Sequence, residues 1–344
     1  MTAGHAPASP AGFEGYVEAL EAEGAPLLGH LVLYSVYSGE VTPDAVAGWF
    51  AELGLDAALC PGEIRACDVY ERITGPSGVR RKYPIGEPQS RRQRREEGSK
   101  GREGLLMIRH VSRDNSAIVR HLVREVRDEE RVRLEYDAGL AVISFVRDQA
   151  AGAGGSAGSL VIQPDRAAIG ALPAGEQAAV HEVLDEVRQA FEHGRLFLSG
   201  DKLRAMVRDY IESFAPIRVR PSGGVYFTGA QHAKTLTALR QLVARFGNGS
   251  NLARVPLPDQ EEMREMVISA FIARADTELA KLADEIRKTK PTDTEAIQAL
   301  HKRYTELAAQ AAEHEQLLSG SIDDAQASMQ LVQMQLASLL ARAT

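Results

Sequence analysis

The 344 residues carry a formal charge of −7, with 44% hydrophobic and 6% aromatic residues. This is an ordinary soluble composition, long enough for about two domains and for a core without disulfide or metal staples. Cys60 and Cys67 are too few for a disulfide framework and point to a reducing cytoplasm. No apolar run approaches the ~18 residues of a membrane span. Residues 1–12 are rich in Ala, Pro and Gly, lack the features of a secretory leader and are expected to be disordered. Phe13–Glu23 reads as a short helix and His30–Tyr37 as a strand. Thr42-Pro43-Asp44 is a helix start, with Thr42 as cap and Pro43 at the first helical position. That helix should run to Leu53, stop at Gly54, and be followed by a helix over Ile64–Thr74. Residues 75–102, with eight Gly and Pro and few apolar side chains, read as a flexible basic loop. Gly104–Val111 is apolar and extended, while Ala117–Arg127 fits strand or helix. Arg131–Tyr136 and Leu140–Val146, separated by Asp137-Ala138-Gly139, are predicted to form a hairpin. Residues 150–158 read as a Gly-rich linker, with Leu160–Ile162 as an edge strand. Apolar spacing then predicts helices over Glu176–Glu192, Asp201–Phe214 and Lys234–Phe246, with a hairpin over 217–227 between the last two.

From Asp259 to Ala343 the chain reads as long helices, cut by Pro291 and Gly320. Ile297, Leu300, Tyr304, Leu307, Ala311, His314 and Leu318 recur at alternating spacings of three and four. So do Ile322, Ala325, Met329, Val332, Leu336 and Leu339. These are heptad seams. They predict a coiled coil or antiparallel bundle, with Ile297, Leu300, Tyr304, Leu307, Leu318, Ile322, Met329, Val332, Leu336 and Leu339 as oligomerisation positions.

The net charge conceals two blocks. Between Arg80 and Arg113 stand eleven Lys and Arg against four Glu, whereas from Pro258 onward fifteen acidic residues face nine basic ones. The candidate phosphate contacts are Arg80, Arg81, Lys82, Arg91, Arg92, Arg94, Arg95, Lys100 and Arg102, because clustered cations gain affinity by releasing counterions. The helix–hairpin segment 201–246 has a winged-helix order, and its Arg204, Arg208, Arg218 and Arg220 could reach a nucleic-acid backbone. Catalytic signatures are incomplete. Ser199-Gly-Asp-Lys202 has the spacing of serine acyl enzymes without their companion motifs, and Ser199 suits a helix cap. Cys60 and Cys67 are too far apart for a zinc knuckle. The Gly run 152–158 lacks the Lys-Ser/Thr of a phosphate loop. No cofactor or metal is expected.

Val219–Phe227 (VRPSGGVYF) precedes a helix and a long helical tail. Upstream, the stretch Ser38–Thr74 opens with SGEVTPDAV and closes on IRACDVYERIT. Together these resemble an uncharacterised family of bacteriophage and actinobacterial mobile-element proteins. The resemblance implies a phage or mobile-element setting and assigns no residue roles.

The expectation is an α+β protein. Residues 13–165 would form an antiparallel-sheet α/β domain carrying the basic loop 75–102. Residues 173–250 would form a helical, winged-helix-like middle, and 259–344 a coiled-coil tail. Its expected role is that of a cytoplasmic, non-enzymatic protein that associates with DNA or RNA or acts as a scaffold. It would be a homo-oligomer, with a protein partner on the acidic tail and no membrane. The alternative is a self-assembling structural or adaptor protein without nucleic acid.

Overall fold

The computed structural model describes residues 26–85, 102–127, 133–148, 157–219, 224–290 and 292–318, and single positions 330, 333, 334, 337, 338 and 341. In chain order the elements are β1 (Leu27–Ser35), α1 (Pro43–Leu53), α2 (Ala66–Thr74), β2 (Arg80–Ile85), β3 (Arg102–Arg113), β4 (Ala117–Arg127) and β5 (Arg133–Arg147). There follow β6 (Gly158–Pro164), α3 (Arg166–Gly170), α4 (Ala174–Leu196), α5 (Gly200–Glu212), β7 (Ile217–Arg218) and β8 (Val225–Gly229). The last are α6 (Ala233–Ala244), β9 (Asn251–Pro258), α7 (Glu261–Lys288) and α8 (Thr294–Leu318). The chain is thus mixed α/β with two antiparallel sheets. The helix expected over Phe13–Glu23 lies outside the described residues.

A consecutive three-part division does not describe these contacts. They group into two interleaved units, one of residues 1–39, 45–61 and 200–344, the other of 40–44 and 62–199. The reason is strand pairing: β1, near the start of the chain, lies between β8 and β9 from its second half.

The first unit holds a sheet of order β7-β8-β1-β9. The hairpin expected as a wing supplies β7 and β8, and β8 is an interior strand paired on both edges. On one sheet face Phe227, Leu257 and Leu28 pack with Val267, Phe271, Ala275, Leu279, Leu282 and Ile286 of α7 and with Ile297, Leu300, Leu307 and Ala311 of α8. The five residues joining α7 to α8 allow only an antiparallel pair, and Arg303 of α8 bridges to Glu285 and Glu278 of α7. β9 was not anticipated, because Pro256 and Pro258 argue against a strand. It is an edge strand, where proline is tolerated. The start of α1 falls where Thr42-Pro43 placed it. Its end is a Schellman closure at Gly54 (φ 63°), with Leu55 N–H donating to the Phe50 carbonyl at 2.9 Å.

The second unit is a five-stranded meander, β2-β3-β4-β5-β6. Leu106, Ile108, Ile118, Leu122, Ile143 and Phe145 pack one face against Tyr70 and Ile73 of α2 and Val180, Val183, Val187 and Phe191 of α4. Three expectations change here. Ala117–Arg127 is a strand. Arg80–Ile85, expected within a loop, is the edge strand β2. The hairpin expected at Asp137-Ala138-Gly139 is instead a bulge inside the continuous β5. Leu122 pairs with Ala141 and Arg124 with Asp137, so β4 accompanies both halves and the extra residues bow out. The tight turn of this sheet is at Asp114, whose Oδ1 accepts from Ser116 N and Ala117 N at 2.7 and 2.8 Å.

Candidate nucleic-acid interface

Alternation along β2 sends its cations to opposite faces. Arg81 and Tyr83 point to the helical side. There Arg81 bridges to Glu182, and to Glu186 at 3.5 Å, on α4. Arg80 and Lys82 share the outer face with Leu105, Met107, Arg109 and Arg127, as the pairings Arg80–Met107, Lys82–Leu105 and Glu103–Arg127 require. On β2–β4 that face sets four cations against two carboxylates, Glu103 and Glu125. Lys82 meets Glu103 at 3.0 Å, and Glu125 is shared by Arg109 and Arg127. Burial pushes the Glu125 carboxyl up, but the two guanidinium groups outweigh it and hold it below the usual carboxylate range. Arg80 is exposed and has no carboxylate partner among the described residues.

The strongest charge of the segment lies between these strands. Arg91, Arg92, Arg94, Arg95 and Lys100 fall outside the described residues, as does Arg220, and Arg102 is placed only as the first residue of β3. Residues 86–101 join β2 to β3, so both ends of this run are fixed on one edge of the sheet.

The other arginines singled out from sequence are engaged locally. Arg204 reaches Asp201 at 2.6 Å and the Val36 carbonyl at 2.9 Å. Arg208 meets Asp209 at 3.3 Å. Arg218 bridges to Glu212 and lies 5.6 Å from the Tyr226 ring centre. Beside it Tyr34 stacks on Tyr226 at 6.3 Å, and burial raises the Tyr34 hydroxyl to about 12. These groups neutralise one another.

Of the positions expected to oligomerise, Ile297, Leu300 and Leu307 are buried and Tyr304 packs against the same core, all within one chain. Leu318 is placed only as the last residue of α8. Ile322, Met329, Val332, Leu336 and Leu339 lie outside the described residues.

No motif or spacing pointed to the buried Arg124 network. Arg124 meets Glu176 at 2.6 Å and Glu135 and Asp137 at 2.9 Å, and Tyr83 donates to Glu176 at 2.6 Å. Among the described residues no group of three or more His, Cys, Asp or Glu could hold a metal. No described helix is long and apolar enough to cross a membrane.

Two antiparallel-sheet units, one with a cation-rich strand connection, define this molecule as a mixed α/β protein. Over residues 27–344 it belongs to a family of unknown function, DUF6744. No curated protein and no solved structure matches the chain.

Proposed function

We propose that this protein is a non-enzymatic, nucleic-acid-associated protein that holds DNA or RNA phosphates on its five-stranded unit. The observation that carries the reading is that the cationic run 86–101 joins β2 to β3, strands that carry Arg80, Lys82 and Arg109 on the same sheet face as Arg127 of β4. Two sheet-fixed ends limit the positions the run can occupy, which lowers the ordering cost of binding. A phage or mobile-element setting, expected from the resemblance, would supply long polyanions.

Fluorescence anisotropy with labelled DNA and RNA over a salt series tests the reading. Binding should weaken steeply with salt. Replacing Arg91, Arg92, Arg94 and Arg95 together by Ser should reduce the log–log slope by about 3. No binding to either polymer at low salt sinks the reading.

A second reading, self-assembly without nucleic acid, is favoured by one observation. The heptad spacing continues from Ile322 to Leu339, while the seam through Ala311 is already filled within the chain. Light scattering of the full chain and of a chain ending at Leu318 tests it, and a monomer in both removes it.

A further inference from the structure

The outer face of the five-stranded sheet is amphipathic. The helices of this unit, α2, α3 and α4, place their apolar residues in the core on the opposite face. Strand register sends a second apolar set outward: Leu105, Met107, Val119, Val142, Val146 and Val161. None of the six belongs to that core. Val146 is 41% exposed and the other five are half-buried. Apolar side chains grouped on an open face, with polar residues around them, mark a contact surface.

The same face carries Arg80, Lys82, Arg109 and Arg127 on β2–β4. Glu103 is taken by Lys82, and Glu125 by Arg109 and Arg127, so this part of the face stays net positive. Tyr136 stands in line with these charges. The pairings Lys82–Leu105, Leu105–Glu125 and Glu125–Tyr136 set four side chains in one row across β2 to β5, about 14 Å from end to end at ~4.8 Å per strand. Tyr136 is 44% exposed, so part of its ring is open to a ligand. Cations beside an aromatic ring and aliphatic side chains match a polymer that carries phosphates beside base faces. An unpaired strand offers both, and any base can stack on an aromatic ring. A duplex hides its base faces, so the apolar part of the surface would go unused. A second copy docked face to face would bring two net positive surfaces together, which is unfavourable.

We propose that the outer face of the five-stranded sheet binds single-stranded nucleic acid in preference to duplex, with phosphates on Arg80, Lys82, Arg109 and Arg127 and a base stacked on Tyr136. The proposal rests on the reading that this unit holds nucleic acid, and it adds the form of the polymer.

Fluorescence anisotropy of the full chain with labelled oligo(dT), oligo(U) and a mixed-sequence DNA duplex of equal length tests it. At least one single strand should bind roughly tenfold or more tightly than the duplex. Tyr136→Ala should weaken that strand by roughly tenfold. Tyr136→Phe should retain it, and Arg188→Ala, at an exposed position of α4, should leave it unchanged. Stacking releases no counterions, so the log–log salt line of Tyr136→Ala should be displaced from that of the wild type but parallel to it. Replacing Arg91, Arg92, Arg94 and Arg95 changes the slope instead. No binding of any polymer ends the preceding reading and this one with it. Duplex binding as tight as that of both single strands, or unchanged single-strand affinity in Tyr136→Ala, leaves the preceding reading standing and overturns this proposal. A dimer by light scattering that Val146→Asp separates assigns the face to a second copy and also overturns it.

Discussion

Arg124 is 5% exposed and sits among Glu176, Glu135 and Asp137. Burial disfavours its charge, but the carboxylates and the Tyr83 hydroxyl reverse that and hold it firmly protonated, while Glu176 is kept below the usual carboxylate range. Arg124→Met leaves Glu176 buried without its counter-charge and should destabilise the protein by about 3–5 kcal/mol in urea unfolding. Replacing Arg124 and Glu176 together by apolar residues should cost less than Arg124→Met alone. The partners are separated by 11, 13 and 52 positions along the chain, so no local spacing rule could have found them. His30 gives a pH dependence. Burial, aided by the Arg254 charge, lowers its pKa from 6.5 to about 4. Below pH 6.5 the unfolded chain takes up a proton that the folded chain refuses, so stability falls as pH drops from 6.5 toward 4, by about 1.4 kcal/mol per unit. Denaturation midpoints over this range should fall less steeply in His30→Leu than in the wild type. Equal slopes would remove His30 from the effect.

At the scale of elements, local chemistry was legible where it acts alone. Thr42-Pro43 and Gly54 mark both ends of α1, because caps and left-handed stops depend on a few adjacent residues. Asp137-Ala138-Gly139 has turn composition, yet becomes a bulge because β4 supplies hydrogen bonds on both sides of it. β9 escaped notice for the complementary reason: its prolines lower strand propensity, and its pairing with the distant β1 decides its state. The heptad spacing identified the seam of α8, but not what fills it. That partner is α7 of the same chain together with Phe227 and Leu257 of the sheet. Leu300, 3% exposed, is therefore a core residue. Leu300→Ala should cost about 2–5 kcal/mol, read as a lower thermal midpoint that does not vary with protein concentration. A concentration-dependent loss would instead place the seam between subunits. Of the candidate site, Arg80 and the cationic run after it could be read from charge clustering, whereas the strand β2, expected as loop, and the face each of its cations takes depend on its pairing with β3, a register that sequence does not state.

At the scale of the whole molecule, the units divide the chain differently from its order. The core of the five-stranded unit is drawn entirely from residues between 62 and 199. A fragment of residues 40–199 should fold, giving dispersed amide resonances and a cooperative melt. A fragment beginning at residue 173 lacks β1, the strand that joins β8 to β9, and should stay unfolded or aggregate despite containing the whole predicted helical middle and tail. Folding of the second fragment would show that β1 is dispensable. The same interleaving explains why the uneven charge could be read early: the basic run and the acidic tail are each contiguous and belong to different units.

The hydrogen bond from Leu198 N–H to the Val41 carbonyl, 2.8 Å long, ties together two points far apart in the chain. On the ribosome, β1 emerges about 190 residues before β8, a delay of roughly 10–40 s at ~5–20 residues per second. If the five-stranded unit closes during that wait, Val41 and Leu198 are already adjacent. The open span between β1 and β8 then shrinks to about thirty residues, lowering the closure cost by about 1.5 kcal/mol. The insertion that looks like an obstacle to pairing β1 with β8 thus becomes the clasp that brings them within reach, and translation order becomes part of how this fold is reached.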